Sequence, residues 1–277
     1  MIDLHTHTTA SDGCCTPDEL VARAAAAGVD VLSLTDHDTV AGCRPAAAAC
    51  FDAGIEFVAG TEITATRENI DVHTLGYFID IESQKLAAFL TEQRLRRIER
   101  VREIVHRLGK FGIALDADAI LQSGLDDQSR AVGRPWIARA LVAAGHVATS
   151  DEAFSRWLSR GRPAFVPRMA AAPEEVIGRI HEAHGIASIA HPGLLGRDGW
   201  LPQLAEAGLD AIEAYHCDHD AQTTRLYLDL ATRLGVAVSG GSDYHADESH
   251  GGASIGSVSL PRDAYERLVT LAGKLKT

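Results

Sequence analysis

Cysteine is scarce and irregularly spaced in this chain. Its five cysteines are odd in number, and no two of them form a CxxC pair. A disulfide framework and a structural zinc ribbon both need paired or regularly spaced cysteines, so the sequence argues against both. We expect the cysteines, including the adjacent Cys14 and Cys15, to be free thiols.

Long apolar segments are also missing. The chain contains no uncharged apolar stretch of about 18 residues, the minimum for a transmembrane helix. Its N-terminus lacks the basic and then apolar pattern of a signal peptide. We therefore expect neither a membrane span nor export, and we expect the protein to act in the cytoplasm.

Positive charge is in deficit. Lysine and arginine total 26 against 38 acidic residues, which gives a formal net charge of −12. This charge disfavours broad binding of duplex DNA through a basic surface, although bound divalent cations would make one cleft locally positive. With 277 residues, 46% of them hydrophobic, the chain can bury a large core, either as one α/β domain or as a domain with an insertion.

Short valine- and isoleucine-rich runs alternate with alanine-rich helical segments. This pattern is typical of βα units around a parallel sheet. The clearest helix lies in "TPDELVARAAAAG", where Thr16 is an N-cap, Pro17 the first helical residue, Glu19 the partner in a capping box and Gly28 the end. Seven strands are predicted: Ile2–Leu4, Val29–Leu34, Glu56–Ala59, Val72–Phe78, Ala187–Ala190, Asp210–Ala214 and Val236–Ser239.

The pattern changes between residues 81 and 165, where helical periodicity and charge dominate. We predict an all-helical insertion subdomain over 81–165 that interrupts a barrel formed by 1–80 and 166–277. Within it, "RLRRIERVREIVHRLGKFG" predicts an amphipathic helix, and its dense arginines alternate with glutamates as on a solvated helix face. The predicted buried stripe of this helix is Leu95, Ile98, Val101, Ile104, Val105 and Leu108.

Histidines and carboxylates concentrate where the predicted strands end. In a βα barrel these ends meet at one face, so side chains remote in sequence would converge there. Imidazole and carboxylate together suit Zn²⁺, Mn²⁺ or Fe²⁺ better than Ca²⁺ or copper(I). The candidates are His5, His7, Asp36, His37, Asp38, Glu62, His73, His191, His216, Asp243 and His245.

A single HxH pair is weak evidence for a metal, and a site role for His219 and His250 stays open on spacing alone. The whole set is much harder to obtain by chance, and it predicts a multinuclear metal site. Either Asp36 or Asp38 could orient His37 from behind.

Five sequence blocks, "DLHTHTTASDG", "LTDHDTVAG", "GTEI", "AHPG" and "SDYH", resemble the PHP (polymerase and histidinol phosphatase) family. The resemblance implies a distorted (β/α)7 TIM-like barrel that holds three divalent ions, with Mn²⁺ favoured and Zn²⁺ or Fe²⁺ as alternatives. By position, the implied ligands are His5, His7, Glu62 and Asp243 for one ion; Glu62, His73 and His191 for a second; and Asp12, His37 and His245 for a third.

Within the family, the chain is most similar to stand-alone members that act on nucleoside 3′,5′-bisphosphates and on the 5′ ends of short RNA. The implied activity is removal of the 3′-phosphate by a metal-bound hydroxide, which leaves the 5′-monophosphate. A 5′-to-3′ exoribonuclease and a non-catalytic metal-binding module are the alternatives, and attack on C–N bonds is a distant third.

Residue roles follow from this chemistry. Asp243, Glu62 and His216 are assigned to the reacting centre, with His216 a candidate proton donor or phosphate contact. A second phosphate needs an anion clamp away from the metals, for which arginine is the natural side chain. The candidate phosphate-binding residues are Arg134, Arg197, His216 and His219. The sequence leaves the oligomeric state open.

Overall fold

Seven strands form a single sheet, in chain order, within the described part of the chain. The computed structural model describes residues 1–126, 133–246 and 253–275. The strands are β1 (Ile2–Asp3), β2 (Val31–Leu34), β3 (Glu56–Arg67), β4 (Ile70–Tyr77), β5 (Ile186–Ile189), β6 (Ala211–His216) and β7 (Ala237–Gly241).

Helices cover the outside of this sheet and fill the long connection between β4 and β5. The first of them confirms the predicted capping box, because Thr16 and Glu19 hydrogen-bond reciprocally and Gly28 ends the helix in the left-handed conformation. The helices are α1 (Pro17–Ala27), α2 (Cys43–Ala53), α3 (Gln84–Gly109), α4 (Ala117–Asp126), α5 (Arg134–Ala143), α6 (Ser150–Ala153), α7 (Pro173–Glu182), α8 (Pro192–Leu195), α9 (Leu201–Glu206), α10 (Ala221–Leu234) and α11 (Arg262–Leu275).

The sheet curls until its two ends meet. The Leu4 amide donates to the Gly240 carbonyl at 3.2 Å, and Thr6 forms a parallel bridge with Tyr244. These contacts join the segment after β1 to β7 and its following loop, which confirms the predicted distorted seven-stranded barrel. Among the described residues, no helix is both long and apolar enough to cross a membrane.

The expectation of an all-parallel sheet is wrong at one strand. β4 runs antiparallel to both β3 and β5, whereas the other adjacent strand pairs are parallel. The cause is local: β3 and β4 are joined only by Glu68 and Asn69, both with positive φ (53° and 60°), and so short a turn makes a hairpin rather than a crossover. β3 also continues past the predicted end at Ala59, so Glu62 lies within a strand rather than after one.

The helices between β4 and β5 bury a hydrophobic cluster of their own. A π-helical turn, Phe154–Leu158, follows α6 and contributes to it. The predicted boundaries of the insertion, 81 and 165, stay a prediction. The cluster's fully buried members include Leu108, Leu121, Ile137, Leu141 and Leu158.

Two expectations for α3 are wrong. Leu95 is 53% exposed and does not belong to the buried stripe, although the other predicted members are buried. Conversely, Arg97 and Arg100 are buried rather than solvated. Arg97 pairs with the buried carboxylate of Asp38 and donates to Thr64 Oγ1 at 3.0 Å, because this face of α3 packs onto the barrel.

Ile137 tests how strongly the helical cluster stabilises the protein. This side chain is fully buried, so Ile137→Ala should lower the free energy of unfolding by about 2–5 kcal/mol. Urea unfolding followed by tryptophan fluorescence reports on this region, since Trp136 and Trp157 both lie in the cluster.

The matched control for this test is Ile137→Val, which removes one methylene group and should cost only about 0.5–1.5 kcal/mol. Equal stability of the alanine variant and the wild type would show that the cluster contributes little.

Candidate metal centre

β1 and β7 approach each other closely at one end of the barrel. A β-carbon added at Gly241 would lie 2.3 Å from the His5 amide nitrogen, so only glycine fits this position. The close contact sets the segment after β1 directly beside the loop after β7. His5, His7 and Asp243 therefore reach the same point inside the barrel mouth.

Four side chains from three barrel elements surround that point. The Nε2 atoms of His5 and His7 are 3.1 Å apart. Both lie within 3.4 Å of Glu62 Oε2 and within 3.3 Å of Asp243 Oδ1. Four ligands at about 2.1 Å around one tetrahedral ion would be about 3.4 Å from one another, so this spacing fits a divalent cation.

The second oxygen of Glu62 faces a different pair of histidines. Glu62 Oε1 lies 2.8 Å from His73 Nδ1 and 3.2 Å from His191 Nε2. The hairpin register explains the first contact: His73 pairs with Thr64, two residues along β3 from Glu62, which places both side chains on one face. One carboxylate thus joins two groups of potential ligands.

A third group forms around Asp12. Its Oδ1 atom lies 3.4 Å from His245 Nε2, and its Oδ2 atom lies 3.7 Å from His37 Nε2. His7 approaches the same carboxylate with Nδ1, at 3.9 Å. These four residues have ligand atoms close enough together to hold an ion.

Electrostatics inside the mouth are dominated by these carboxylates and imidazoles. Burial lowers the pKa of His7, but hydrogen bonds with Asp243 and Glu62 outweigh it and raise the pKa to about 10. Burial raises the pKa of Glu62 and of Asp243, but the surrounding histidines hold both well below the ordinary carboxyl range. His73 differs, because burial outweighs the attraction of Glu62 and leaves its pKa lowered.

Several imidazole and carboxylate atoms in and beside these groups are buried without a hydrogen bond of good geometry. Within the described residues they include Asp12 Oδ1, His37 Nδ1, His73 Nδ1 and His216 Nε2. Buried polar atoms are normally satisfied, and a cluster of exceptions indicates that something else completes the site. The donor set and the spacing both fit divalent cations.

His216 and His219 lie beside this centre but differ in their partners. His216 Nε2 is 3.4 Å from Asp243 Oδ2, with the ring buried against the ligand cluster. His219 donates from Nδ1 to the Ala214 carbonyl and accepts the Gly193 amide at Nε2, so both of its ring nitrogens already have partners within the fold. Burial, the largest cause, leaves the pKa of His219 lowered.

The idea that Asp36 or Asp38 orients His37 is wrong for both, judged on the hydrogen bonds of the described residues. Asp36 accepts from the Thr8 amide, the Thr8 hydroxyl and Ser11 Oγ, and so fixes the loop that carries Asp12. Asp38 binds Arg97 and the Thr64 amide.

A cavity of about 370 Å³ opens from the metal centre toward the helical region. Arg134 and Arg168 line it together with Asp12, His73 and His191. Both arginines face a single carboxylate, Asp71, at 3.7 and 3.6 Å. Burial lowers the pKa of Arg168 to about 9, and its Nε and Nη1 atoms are buried without a hydrogen bond.

Arg197, the other arginine among the predicted phosphate contacts, lies elsewhere. Its side chain donates to the Gly196 carbonyl at 2.9 Å in an exposed loop, and it is outside the residues that line this cavity. His250 lies outside the described residues.

Two further candidate functional residues were not predicted from the sequence. Glu213, in the apolar strand β6, is fully buried and contacts His5 Nδ1 at 3.0 Å. A lone carboxylate in such a strand is costly unless it is bonded, and that was its available signal. Arg168 precedes α7 in "VPRMAAAP", where nothing in the sequence distinguishes it from a surface arginine.

Comparison with known proteins agrees with this geometry. The PHP domain model matches residues 3–148. The chain is 37% identical over 253 residues to the 5′-3′ exoribonuclease Rnm of Escherichia coli, covering 88% of this chain and 84% of the relative. It is 36% identical over 260 residues to a 3′,5′-nucleoside bisphosphate phosphatase of Chromobacterium violaceum, covering 92% and 90%.

The fold has a close match among solved structures. A protein from Bifidobacterium adolescentis, described as a candidate metal-dependent phosphoesterase, superposes with a TM-score of 0.86 at 30% identity, covering 97% of this chain and 95% of that one. The fold class and the family resemblance predicted from the sequence are both confirmed. This chain belongs to the PHP domain family.

Proposed function

We propose that the protein is a metal-dependent phosphoesterase that removes the 3′-phosphate from nucleoside 3′,5′-bisphosphates and leaves the 5′-monophosphate. One observation carries the proposal. A cluster of imidazoles and carboxylates lines the same cavity as two arginines, and both arginines face a single carboxylate, that of Asp71. The cluster suits metal-assisted attack on one phosphate, and the arginines suit capture of another.

Three ions would be held by the three groups of side chains. His5, His7, Glu62 and Asp243 would hold one, and His73 and His191 would hold a second with Glu62. Asp12, His37 and His245 would hold a third. The mixed nitrogen and oxygen donors favour Mn²⁺ among the candidates and accommodate Zn²⁺ or Fe²⁺.

When bound, such ions supply a nucleophile from water and offset the charge of the phosphoryl oxygens. The chain's own residues supply the rest. Glu62 and Asp243 fix the geometry of the centre with carboxylate oxygens from β3 and from the loop after β7. His216, beside Asp243, is placed to contact the phosphate or to protonate the departing 3′-oxygen.

Arg134 and Arg168 would bind the 5′-phosphate. Two guanidinium groups against the one carboxylate of Asp71 leave positive charge uncompensated in a partly buried cavity. A phosphate placed between them would restore the balance and satisfy the free donors of Arg168. Arg197, which lies outside the cavity lining, and His219, whose two ring nitrogens already have partners, are weaker candidates for this role.

A 5′-to-3′ exoribonuclease activity has its own supporting observation. Asp12 lines a second, larger cavity of about 820 Å³, together with Ser11, Gly13, Trp136 and Arg139. The 5′ end of a phosphorylated RNA presents the same two phosphates as a nucleoside bisphosphate. The larger cavity offers room for the nucleotides that follow, so one centre could serve both substrates.

The cytoplasmic location of the protein stays a prediction.

The first test is a substrate panel with Mn²⁺-loaded protein. Adenosine 3′,5′-bisphosphate should release phosphate from its 3′ position, whereas 5′-AMP and histidinol phosphate should react much more slowly. A 5′-phosphorylated RNA ladder measures the exonuclease alternative. Asp243→Asn, which replaces a ligand oxygen by an amide, is the inert control.

Equal rates on all three small substrates would contradict the proposed specificity. A metal-loaded protein inert toward every phosphoester would favour the non-catalytic alternative.

Arg168→Met tests the 5′-phosphate clamp. The substitution removes the charge and keeps most of the apolar length, so it should raise KM for adenosine 3′,5′-bisphosphate by about 10- to 100-fold, the equivalent of charge-assisted hydrogen bonds. Turnover of 3′-AMP, which lacks the 5′-phosphate, should barely change. Steady-state kinetics on both substrates separates the two effects.

The matched control for the clamp is Arg96→Met, an arginine on the solvent side of α3 that pairs with Glu92. If Arg197→Met rather than Arg168→Met raised KM for the bisphosphate, the clamp would be assigned to the wrong arginine.

Metal binding should weaken as the pH falls. In the metal-free protein the pKa of His7 is raised to about 10, so a proton occupies this ligand at neutral pH and must leave when an ion binds. Each displaced proton makes the Mn²⁺ affinity rise about tenfold per pH unit. Calorimetric titration in buffers of different ionisation enthalpy measures this release, and a binding heat independent of the buffer would contradict it.

A further inference from the structure

Glu213 contacts two residues of the proposed metal centre that are far apart in sequence. Its Oε1 atom lies 3.0 Å from His5 Nδ1, and its Oε2 atom accepts the His191 backbone amide at 2.7 Å. The side chain is fully buried. One carboxylate of β6 therefore contacts a residue that follows β1 and a residue that follows β5.

The contact with His5 fixes the orientation of its ring. Since Nε2 faces Glu62 and Asp243, Nδ1 must carry the hydrogen that Glu213 accepts. A carboxylate behind a ligating histidine sets its tautomer and makes its other nitrogen a better donor. Glu213 thus presents a lone pair of His5 toward the first group of ligands.

The contact with His191 holds a strained backbone. His191 has φ of 28° and ψ of 56°, a conformation that residues other than glycine rarely adopt. Such strain persists only where the surroundings impose it. The Glu213 bond to the His191 amide and the His219 bond to the Gly193 amide provide that restraint, and they place the His191 ring against Glu62.

We propose that Glu213 is a positioning residue that couples the first two ion sites, because one buried side chain orients a ligand of each. The inference rests on the proposed metal centre. Both partners of Glu213 are N–H donors, so its two acceptor oxygens are required. Glutamine has the same shape but only one acceptor oxygen, and Glu213→Gln must break one contact.

The experiment measures Mn²⁺ binding to the metal-free full chain, by calorimetry and by elemental analysis after dialysis. In Glu213→Gln, the ion of the first or second group whose ligand loses its contact should bind about 10- to 100-fold more weakly. The ion of the Asp12 group should keep its affinity, since Glu213 contacts none of its proposed ligands among the described residues.

Asp210→Asn is the matched control. Asp210 Oδ2 also accepts from a histidine ring, His181, and from a backbone amide, that of Ala187, each at 2.8 Å. It precedes β6, at the end of the strand away from the metal centre. This variant should bind three ions with wild-type affinity.

The melting temperature of the metal-free variants separates positioning from folding. A lowered melting temperature with unchanged Mn²⁺ affinities would make Glu213 a purely structural residue and overturn the inference. Should Glu213→Gln not fold, Glu213→Asp, with both oxygens on a shorter side chain, must still bind two ions more weakly than the wild type. A wild-type protein that binds no divalent ion would instead overturn the proposed function.

Discussion

The charge of Glu62 is the constraint around which the barrel mouth is organised. Its side chain is 1% exposed, and its two oxygens lie within 3.4 Å of five histidines. A buried carboxylate is tolerated only when nearby groups replace the water it has lost. Those groups come from remote parts of the chain, namely His5, His7, His37, His73 and His191, so the barrel must close for this charge to be compensated.

The antiparallel hairpin is what allows one carboxylate to serve two groups. A parallel fourth strand would enter the sheet in the opposite direction and after a long crossover. The tight turn at Glu68 and Asn69 instead returns β4 along β3 and sets His73 diagonally opposite Glu62. The irregularity in the barrel is therefore the feature that assembles its centre.

The helical region contributes charge as well as its own hydrophobic cluster. Arg97 pairs with Asp38 behind the metal centre, whereas Arg134 and Arg168 compete for Asp71 at its mouth. The first arrangement is balanced and ties α3 to the barrel. The second has an excess of positive charge and faces a cavity. The same residue type is thus neutralised by a buried carboxylate in one place and leaves positive charge uncompensated beside a cavity in another, although the chain as a whole is acidic.

The sequence by itself determined which residues could bind metal. His5 and His7, or Asp243 and His245, are recognisable because residue types suited to ions recur in short blocks, and the barrel rule brings strand ends together. The capping of α1 was equally readable, since a capping box is local chemistry.

Tertiary structure alone decided which candidate ligands lie together and which other residues contact them. Glu213, Arg168 and the burial of Arg97 depend on contacts between segments distant in sequence, and neither composition nor periodicity specifies such contacts. The direction of β4 belongs here too, because residues 56–77 have strand propensity in either orientation. Only the hairpin register establishes that Glu62 and His73 meet.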